Sequence, residues 1–137
     1  MNQLLLKSLD IDVNMVGRND DIYRNITRIA KKYGIFDCIP CSRKIKAYLI
    51  ARNIRGKQII VKTGSQDPLY GRIYDDSIGE LISTTGYHEG IVLVIDGEET
   101  VFDNCHPNGI SKTLWLQNLD SPILEIDRAF QIEEIEF

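Results

Sequence analysis

The sequence predicts an α+β domain in which N-terminal helices pack on a small antiparallel sheet. Two amphipathic segments come first, at about residues 19–33 and 38–53. Segments with strand character follow them, and the dipeptide Asp96-Gly97 between two of these segments favours a tight antiparallel hairpin. Helices that are separated along the chain from an antiparallel sheet are typical of the α+β class.

The helices are predicted from their ends and their apolar spacing. Asn19, Asp20 and Asp21 are expected to cap the first helix, because short polar and acidic side chains suit its positive end. Apolar residues recur at helical spacing up to Tyr33, and Gly34 suits the stop. The second helix is expected to run from near Cys38 to about residue 53. We expect residues 1–19 to be an N-terminal extension and residues 20–137 to be the domain.

Short β-branched or apolar runs predict the strands, at residues 57–63, 90–95, 100–102 and 130–137. The 90–95 run has almost no polar residue, so we expect it at the centre of the sheet. Residues 77–82 are predicted to form a short helix. Ser111 is predicted to cap another short helix that carries Leu114, Trp115 and Leu119.

Composition limits the functional classes. The chain has 137 residues, 43% of them hydrophobic and 26% charged, with a net charge of −4, which fits one globular domain. Negative net charge argues against a nucleic-acid partner. The sequence contains no run of ~18 apolar residues, so we expect no membrane-spanning helix. The first residues lack the basic start of a signal peptide, and three cysteines are too few for a disulfide scaffold. We therefore expect a reducing, cytoplasmic location.

Charge is unevenly distributed along the chain. Residues 38–66 hold seven basic residues and no acid, whereas residues 120–137 hold six acids and one base. Our interpretation is that these are solvated faces that attract one another in the fold. The alternative is that the basic helix supports a thiolate or meets an acidic partner.

A Cys-x-x-Cys pair lies at the predicted start of the second helix. Unpaired N–H groups and the helix dipole favour negative charge there, and the thiolate is the reactive form of cysteine. If Asp37 caps the helix, Cys38 is its first residue; if Pro40 takes the first position, the placement favours Cys41. We prefer Cys38 as the nucleophile and keep Cys41 as the alternative.

The predicted hairpin brings a base and an acid to one face. With a two-residue turn at Asp96-Gly97, His88 lies opposite Cys105, and Asp103 projects on the same face at diagonal distance. A three-residue turn would give that place to Asn104. Either arrangement supplies the base and the orienting group of a nucleophile–base–orienter set. The competing interpretation is a surface histidine beside an unrelated turn aspartate.

Two other functions use the same cysteines. Cys38, Cys41, Cys105 and His106 could hold a structural zinc ion in a non-enzymatic domain, although adjacent strand residues at 105 and 106 would point apart. A redox pair at Cys38 and Cys41 is the other alternative, but the chain lacks the strand-first βαβ pattern expected around such a site.

Several short blocks occur together in this sequence: Phe36-Asp37-Cys38-x-x-Cys41, Gly56-Lys57, residues 62–65 and 73–77, Gly86-Tyr87-His88-Glu89-Gly90, Val101-Phe102-Asp103-Asn104-x-His106-Pro107 and the closing residues 130–137. Together these blocks resemble the papain-fold toxin family, second group, whose members occur in bacterial polymorphic toxin systems. The resemblance covers about residues 20–137.

The resemblance implies a papain-like cysteine hydrolase fold and a peptidase or glutamine deamidase activity. It implies Cys38 or Cys41 as nucleophile, His88 as base and Asp103 as orienter. It implies a protein substrate, an immunity-type partner protein and no cofactor. It also implies delivery to a target cell as an alternative to a stand-alone cytoplasmic protein.

Overall fold

A computed structural model describes the backbone of residues 16–137 and the side chains from residue 20 onward. Most of the expected N-terminal extension lies outside the described residues. The elements in chain order are α1 (Val16–Ala30), α2 (Cys38–Ala51), β1 (Lys57–Lys62), β2 (Ile73–Asp75), β3 (Glu80–Ser83), β4 (Tyr87–Ile95), β5 (Glu98–Phe102), β6 (Ile110–Ser111), α3 (Lys112–Gln117), β7 (Leu119–Asp120), a 3₁₀ helix (Pro122–Ile126) and β8 (Gln131–Glu136).

The strands form two antiparallel sheets. The larger sheet has the order β6-β5-β4-β1-β8, and the smaller one has the order β3-β2-β7. Strand β4 is the middle strand of the larger sheet, which confirms the central position predicted for residues 90–95. Two helices followed by antiparallel sheets confirm the α+β class.

The β4–β5 hairpin has the predicted register. Asp96 and Gly97 both have positive φ, at 52° and 80°, as the two-residue turn requires, and Ile95 pairs with Glu98. The ladder continues to the pair Ile91 and Phe102 and stops where β5 ends. The predicted pairing of residue 88 with residue 105 is therefore not formed, because the chain has left the sheet by then.

The larger sheet separates two apolar layers. Side chains alternate along β4, so Ile91 and Leu93 face the helices while Val92 faces the smaller sheet and α3. The helix-side layer consists of Ile26, Ala30, Cys41, Ile45, Leu49, Ile91, Leu93 and Phe102. The opposite layer consists of Ile59, Val61, Ile73, Ile82, Val92, Val101, Trp115 and Leu119.

Three predicted elements were wrong in type or limits. Helix α1 already runs through Asn19, so residues 19–21 lie inside it and do not cap it. Residues 77–82 do not form a helix, because the carboxylate of Asp75 binds the N–H of Ser77 (2.9 Å) and Gly79 turns the chain at φ 67° into β3. Leu119 lies in β7, since α3 ends at Gln117.

The basic and acidic segments meet at the edge of the larger sheet, where β8 pairs with β1. Lys57 lies 3.3 Å from Glu134 and 3.1 Å from Glu99, and Lys112 lies 3.1 Å from Glu134 and 2.9 Å from Glu99. Each of these partly exposed ion pairs contributes little to folding stability alone, but together they link β8 to β1 and β5. Within the described residues, no helix has the length and apolar character needed to cross a bilayer.

Candidate active site

Cys38 is the first residue of α2, directly after the N-cap residue Asp37. The N–H of Cys41 donates to the carbonyl of Asp37 (3.2 Å), which closes the first helical turn. The Asp37 carboxylate accepts from the N–H of Gly34 (3.3 Å) and makes no capping bond to the helix. The amide groups at the start of α2 therefore keep the positive potential of a helix N-terminus beside Cys38.

The two cysteines of the pair have different surroundings. Cys38 retains 6% of its exposure, whereas Cys41 retains none and packs beside Ile26 and Ile45. Burial, with the nearby charge of Asp103, raises the pKa of Cys41 to about 12. Because the thiolate is the nucleophilic form, this raised pKa disfavours Cys41 as a nucleophile at neutral pH.

His88 lies on β4 with its imidazole fully buried. Its Nε2 is 2.9 Å from Oδ2 of Asp103. Burial alone would lower the pKa of His88, but the hydrogen bond to Asp103 and then the nearby Cys38 thiol outweigh it and raise the pKa to about 9. Since a carboxylate only accepts, Nε2 carries a proton, and Nδ1 is the acceptor whenever the ring is neutral. Among the described residues, Nδ1 has no hydrogen-bond partner, the Cys38 sulfur included.

Asp103 follows the last residue of β5 and is fully buried. Its Oδ2 accepts from His88 and from the indole N–H of Trp115 (2.7 Å). Its Oδ1 accepts from the backbone N–H groups of Cys105 (2.9 Å) and His106 (2.7 Å). Burial by itself would raise the pKa of Asp103, but these partners, His88 first, lower it, so the group is a fixed carboxylate.

Trp115 is the residue of this site that sequence reasoning missed. It was expected only to pack under its helix, but its ring also stacks on the imidazole of His88, with centroids 5.5 Å apart and planes at 23°. Its indole N–H holds the Asp103 oxygen that His88 shares. The one available signal was that a buried tryptophan needs a partner for its N–H, but nothing in the sequence spacing named Asp103 as that partner.

Asn104 points away from His88. Its amide donates to the carbonyl of Gly34 (2.8 Å), in the loop before α2. The two-residue hairpin turn leaves Asp103 on the His88 face, so the structure gives the contact with His88 to Asp103 and not to the alternative orienter Asn104.

The residues of the zinc alternative do not assemble. Within residues 16–137, no three His, Cys, Asp or Glu side chains are placed to hold a metal ion together. The His106 Nε2 instead meets Oδ2 of Asp75 at 2.7 Å, so the set Cys38, Cys41, Cys105 and His106 lacks its imidazole.

A cleft of about 290 Å³ lies between the start of α2 and β4; Cys38 and His88 are not among its lining residues. Ile39 and Tyr87, the chain neighbours of Cys38 and His88, both line it. Inside it, the carboxylate of Glu89 accepts from the hydroxyl of Tyr87 and from the amide of Gln58 (3.2 Å). The cleft is therefore a polar surface next to the start of α2.

Comparison with known families agrees with this geometry. The sequence model of the family described as Papain fold toxin 2 matches residues 21–120, well over half of the chain. The chain belongs to the Papain fold toxin 2 family. No curated protein and no solved structure gives a significant match.

Membership in the Papain fold toxin 2 family confirms the family and the papain-like α+β fold that the sequence blocks predicted. It supports the coarse class of a toxin-type, papain-like enzyme. Such a class implies a protein target and fits delivery to a target cell.

Proposed function

We propose that this protein is a cysteine hydrolase that cleaves an amide bond in a protein substrate, with Cys38 as nucleophile, His88 as base and Asp103 as orienter. One observation supports the proposal: a fully buried imidazole has a carboxylate 2.9 Å from one nitrogen and no bond on the other, and the helix-start thiol of Cys38 is near enough to affect its pKa. This is the nucleophile–base–orienter arrangement of acyl-transfer enzymes.

In the proposed reaction, Nδ1 of His88 takes the proton of the Cys38 thiol or already holds it in a thiolate–imidazolium ion pair. The imidazolium is stabilised by Asp103, whose pKa is held low by its four donors. The thiolate forms a bond to the carbonyl carbon, and the carbonyl π electrons move to oxygen. The backbone N–H of Cys38, at the start of α2, is the natural donor to this oxyanion.

Collapse of the tetrahedral intermediate breaks the C–N bond and leaves a thioester on Cys38. His88 returns its proton to the leaving nitrogen. Water then attacks the thioester, gives its proton to His88, and releases the acid and the free thiol. If the leaving nitrogen belongs to a peptide bond, the enzyme is a protease; if it leaves as ammonia from a glutamine side chain, it is a deamidase.

The family suggests the setting of this reaction. A protein target and an immunity-type partner, which would shield the cleft beside Cys38, belong to the same proposal. The runner-up, a structural zinc domain, has no observation in its favour, since His106 is bound to Asp75.

Covalent labelling tests the proposal. The protein is treated at pH 7 with an acyl-type electrophile, and the modified cysteine is identified by peptide mass spectrometry. We expect one labelled cysteine, Cys38, and a loss of labelling in His88→Ala. Cys105→Ser is the matched control, because it removes the third thiol but keeps the backbone N–H that donates to Asp103. Labelling kinetics that are unchanged in His88→Ala would overturn the proposal.

A further inference from the structure

A second acid–imidazole pair lies next to the site and has no part in the proposed reaction. The Nε2 of His106 is 2.7 Å from Oδ2 of Asp75, the last residue of β2. Asp75 is only 1% exposed, and its Oδ1 accepts from the backbone N–H (2.9 Å) and the hydroxyl (2.5 Å) of Ser77. The pair therefore joins the smaller sheet to the turn that follows β5.

This cluster is not a second catalytic triad, although it contains Ser, His and Asp. A relay needs the nucleophile and the acid on opposite nitrogens of the imidazole. Here the hydroxyl of Ser77 (3.4 Å) and the carboxylate of Asp75 meet the same nitrogen, Nε2 of His106. The arrangement can fix the ring, but it cannot pass a proton from Ser77 through it.

His106, whose ring Asp75 fixes, also binds Asp103 through its backbone. The backbone N–H of His106 donates to Oδ1 of Asp103 (2.7 Å), while Oδ2 of the same carboxylate holds His88. A continuous chain of contacts therefore runs from Asp75 through the ring and backbone of His106 to Asp103 and His88.

The turn needs such support because it lies outside the sheet. The ladder between β4 and β5 ends at Phe102, so residues 103–106 have no strand partner. A carboxylate orients a histidine only if the carboxylate itself is held still. The same turn also holds Gly34 through Asn104, so its position affects the loop before Cys38 as well.

We propose that Asp75 and His106 are positioning residues, which anchor the 103–106 turn to β2 and so keep Asp103 in line with His88. This inference rests on the proposed function, because it names the support of the same site. Neither residue touches the substrate in this account; both act through Asp103.

His106→Ala and His106→Gln test the proposal together. Glutamine can place an amide donor where Nε2 of His106 lies, whereas alanine cannot. The chain has only two histidines, so His88 is the single imidazole left in either variant and its pKa can be measured by ¹H–¹⁵N NMR. We expect His106→Ala to lower the pKa of His88 by at least about one pH unit and to slow Cys38 labelling ~10-fold, and His106→Gln to restore most of both.

A purely electrostatic or structural role gives different results. The positive charges of His106 and His88 repel one another. Loss of the His106 charge alone would therefore raise the pKa of His88, and by the same amount in both variants. That result, or values equal to wild type in both variants, would overturn the proposal. If His106→Ala does not fold, Asp75→Asn, which weakens the hold on the ring, must lower the pKa of His88, while Asp76→Asn, which removes the same charge from an exposed neighbour, must leave it unchanged.

The failure of this inference can be told apart from that of the proposed function. If His88→Ala leaves labelling unchanged, the hydrolase proposal fails whatever the His106 variants do. If His88→Ala abolishes labelling while His106→Ala behaves as wild type, only the positioning role fails.

Discussion

Replacement of Asp103 by asparagine removes one charge with almost no change in shape. The carboxylate accepts four hydrogen bonds, two on each oxygen. An amide group has one oxygen, so its NH₂ must face donors, either the two backbone N–H groups or the ring nitrogens of His88 and Trp115. In the second case Nε2 of His88 must accept a hydrogen bond, so the ring proton moves to Nδ1. A protonated Nδ1 can no longer take the proton of the Cys38 thiol.

The size of the effect follows from the pKa of His88. The Asp103 hydrogen bond is the main reason that this pKa rises from 6.5 to about 9 despite burial. That difference of about 2.5 pH units corresponds to about 3 kcal/mol, or a factor of roughly 300, in stabilisation of the imidazolium. We therefore expect Asp103→Asn to place the pKa of His88 at or below 6.5 and to slow Cys38 labelling at pH 7 by ~10- to 300-fold.

The assay is the rate of Cys38 labelling, followed by intact mass, together with the NMR titration of His88. Asp20→Asn is a matched control, since Asp20 is exposed on α1 and makes no side-chain hydrogen bond to a described residue. Circular dichroism verifies that each variant is folded at the assay temperature. A labelling rate within about threefold of wild type in folded Asp103→Asn would refute the reasoning.

Three further predictions concern pH, the second cysteine and a glycine. Because the folded-state pKa of His88 is raised, its contribution to the free energy of unfolding is complete below pH 6.5 and is lost as the pH rises towards 9. Urea unfolding should therefore show a larger loss of stability over this pH range in wild type than in His88→Gln. Equal losses in the two proteins would contradict the prediction. Cys41→Ala should lower the free energy of unfolding by ~1 kcal/mol and leave Cys38 labelling intact. Cys38→Ser should leave the stability unchanged and abolish labelling. The reverse pattern would make Cys41 the nucleophile. Gly90→Ala should lower the free energy of unfolding by ~1–3 kcal/mol and slow Cys38 labelling, because the new Cβ would lie 2.8 Å from Val101 and 3.4 Å from the Cβ of Asp103. Wild-type stability and a wild-type labelling rate would contradict this prediction.

The central hairpin could be predicted because its signals are local. The Asp96-Gly97 turn fixes the register, and alternation then determines which residues share the face of His88. That reasoning predicted the meeting of His88 and Asp103, which the structure shows at 2.9 Å. The start of α2 was equally local, since Asp37 and Cys38 fall at its cap and first position.

The remaining parts depend on contacts between distant segments. Strands β2, β3 and β7 have only two to four residues each, and they become strands by pairing across the chain, as Tyr74 does with Leu81 and Asp120. Such short segments carry no clear period, so residues 77–82 were wrongly predicted as a helix. The contacts of Trp115 with Asp103 and of His106 with Asp75 also depend on this packing, and sequence spacing did not indicate them.

Capture of the acyl intermediate tests the central claim most directly. The protein is mixed with a p-nitrophenyl ester, quenched in acid and analysed by intact and peptide mass spectrometry. The account predicts one hydroxylamine-labile acyl group on Cys38 in wild type and none in His88→Ala. An acyl group on Cys41 or Cys105, or equal acylation of Cys38 without His88, would contradict it.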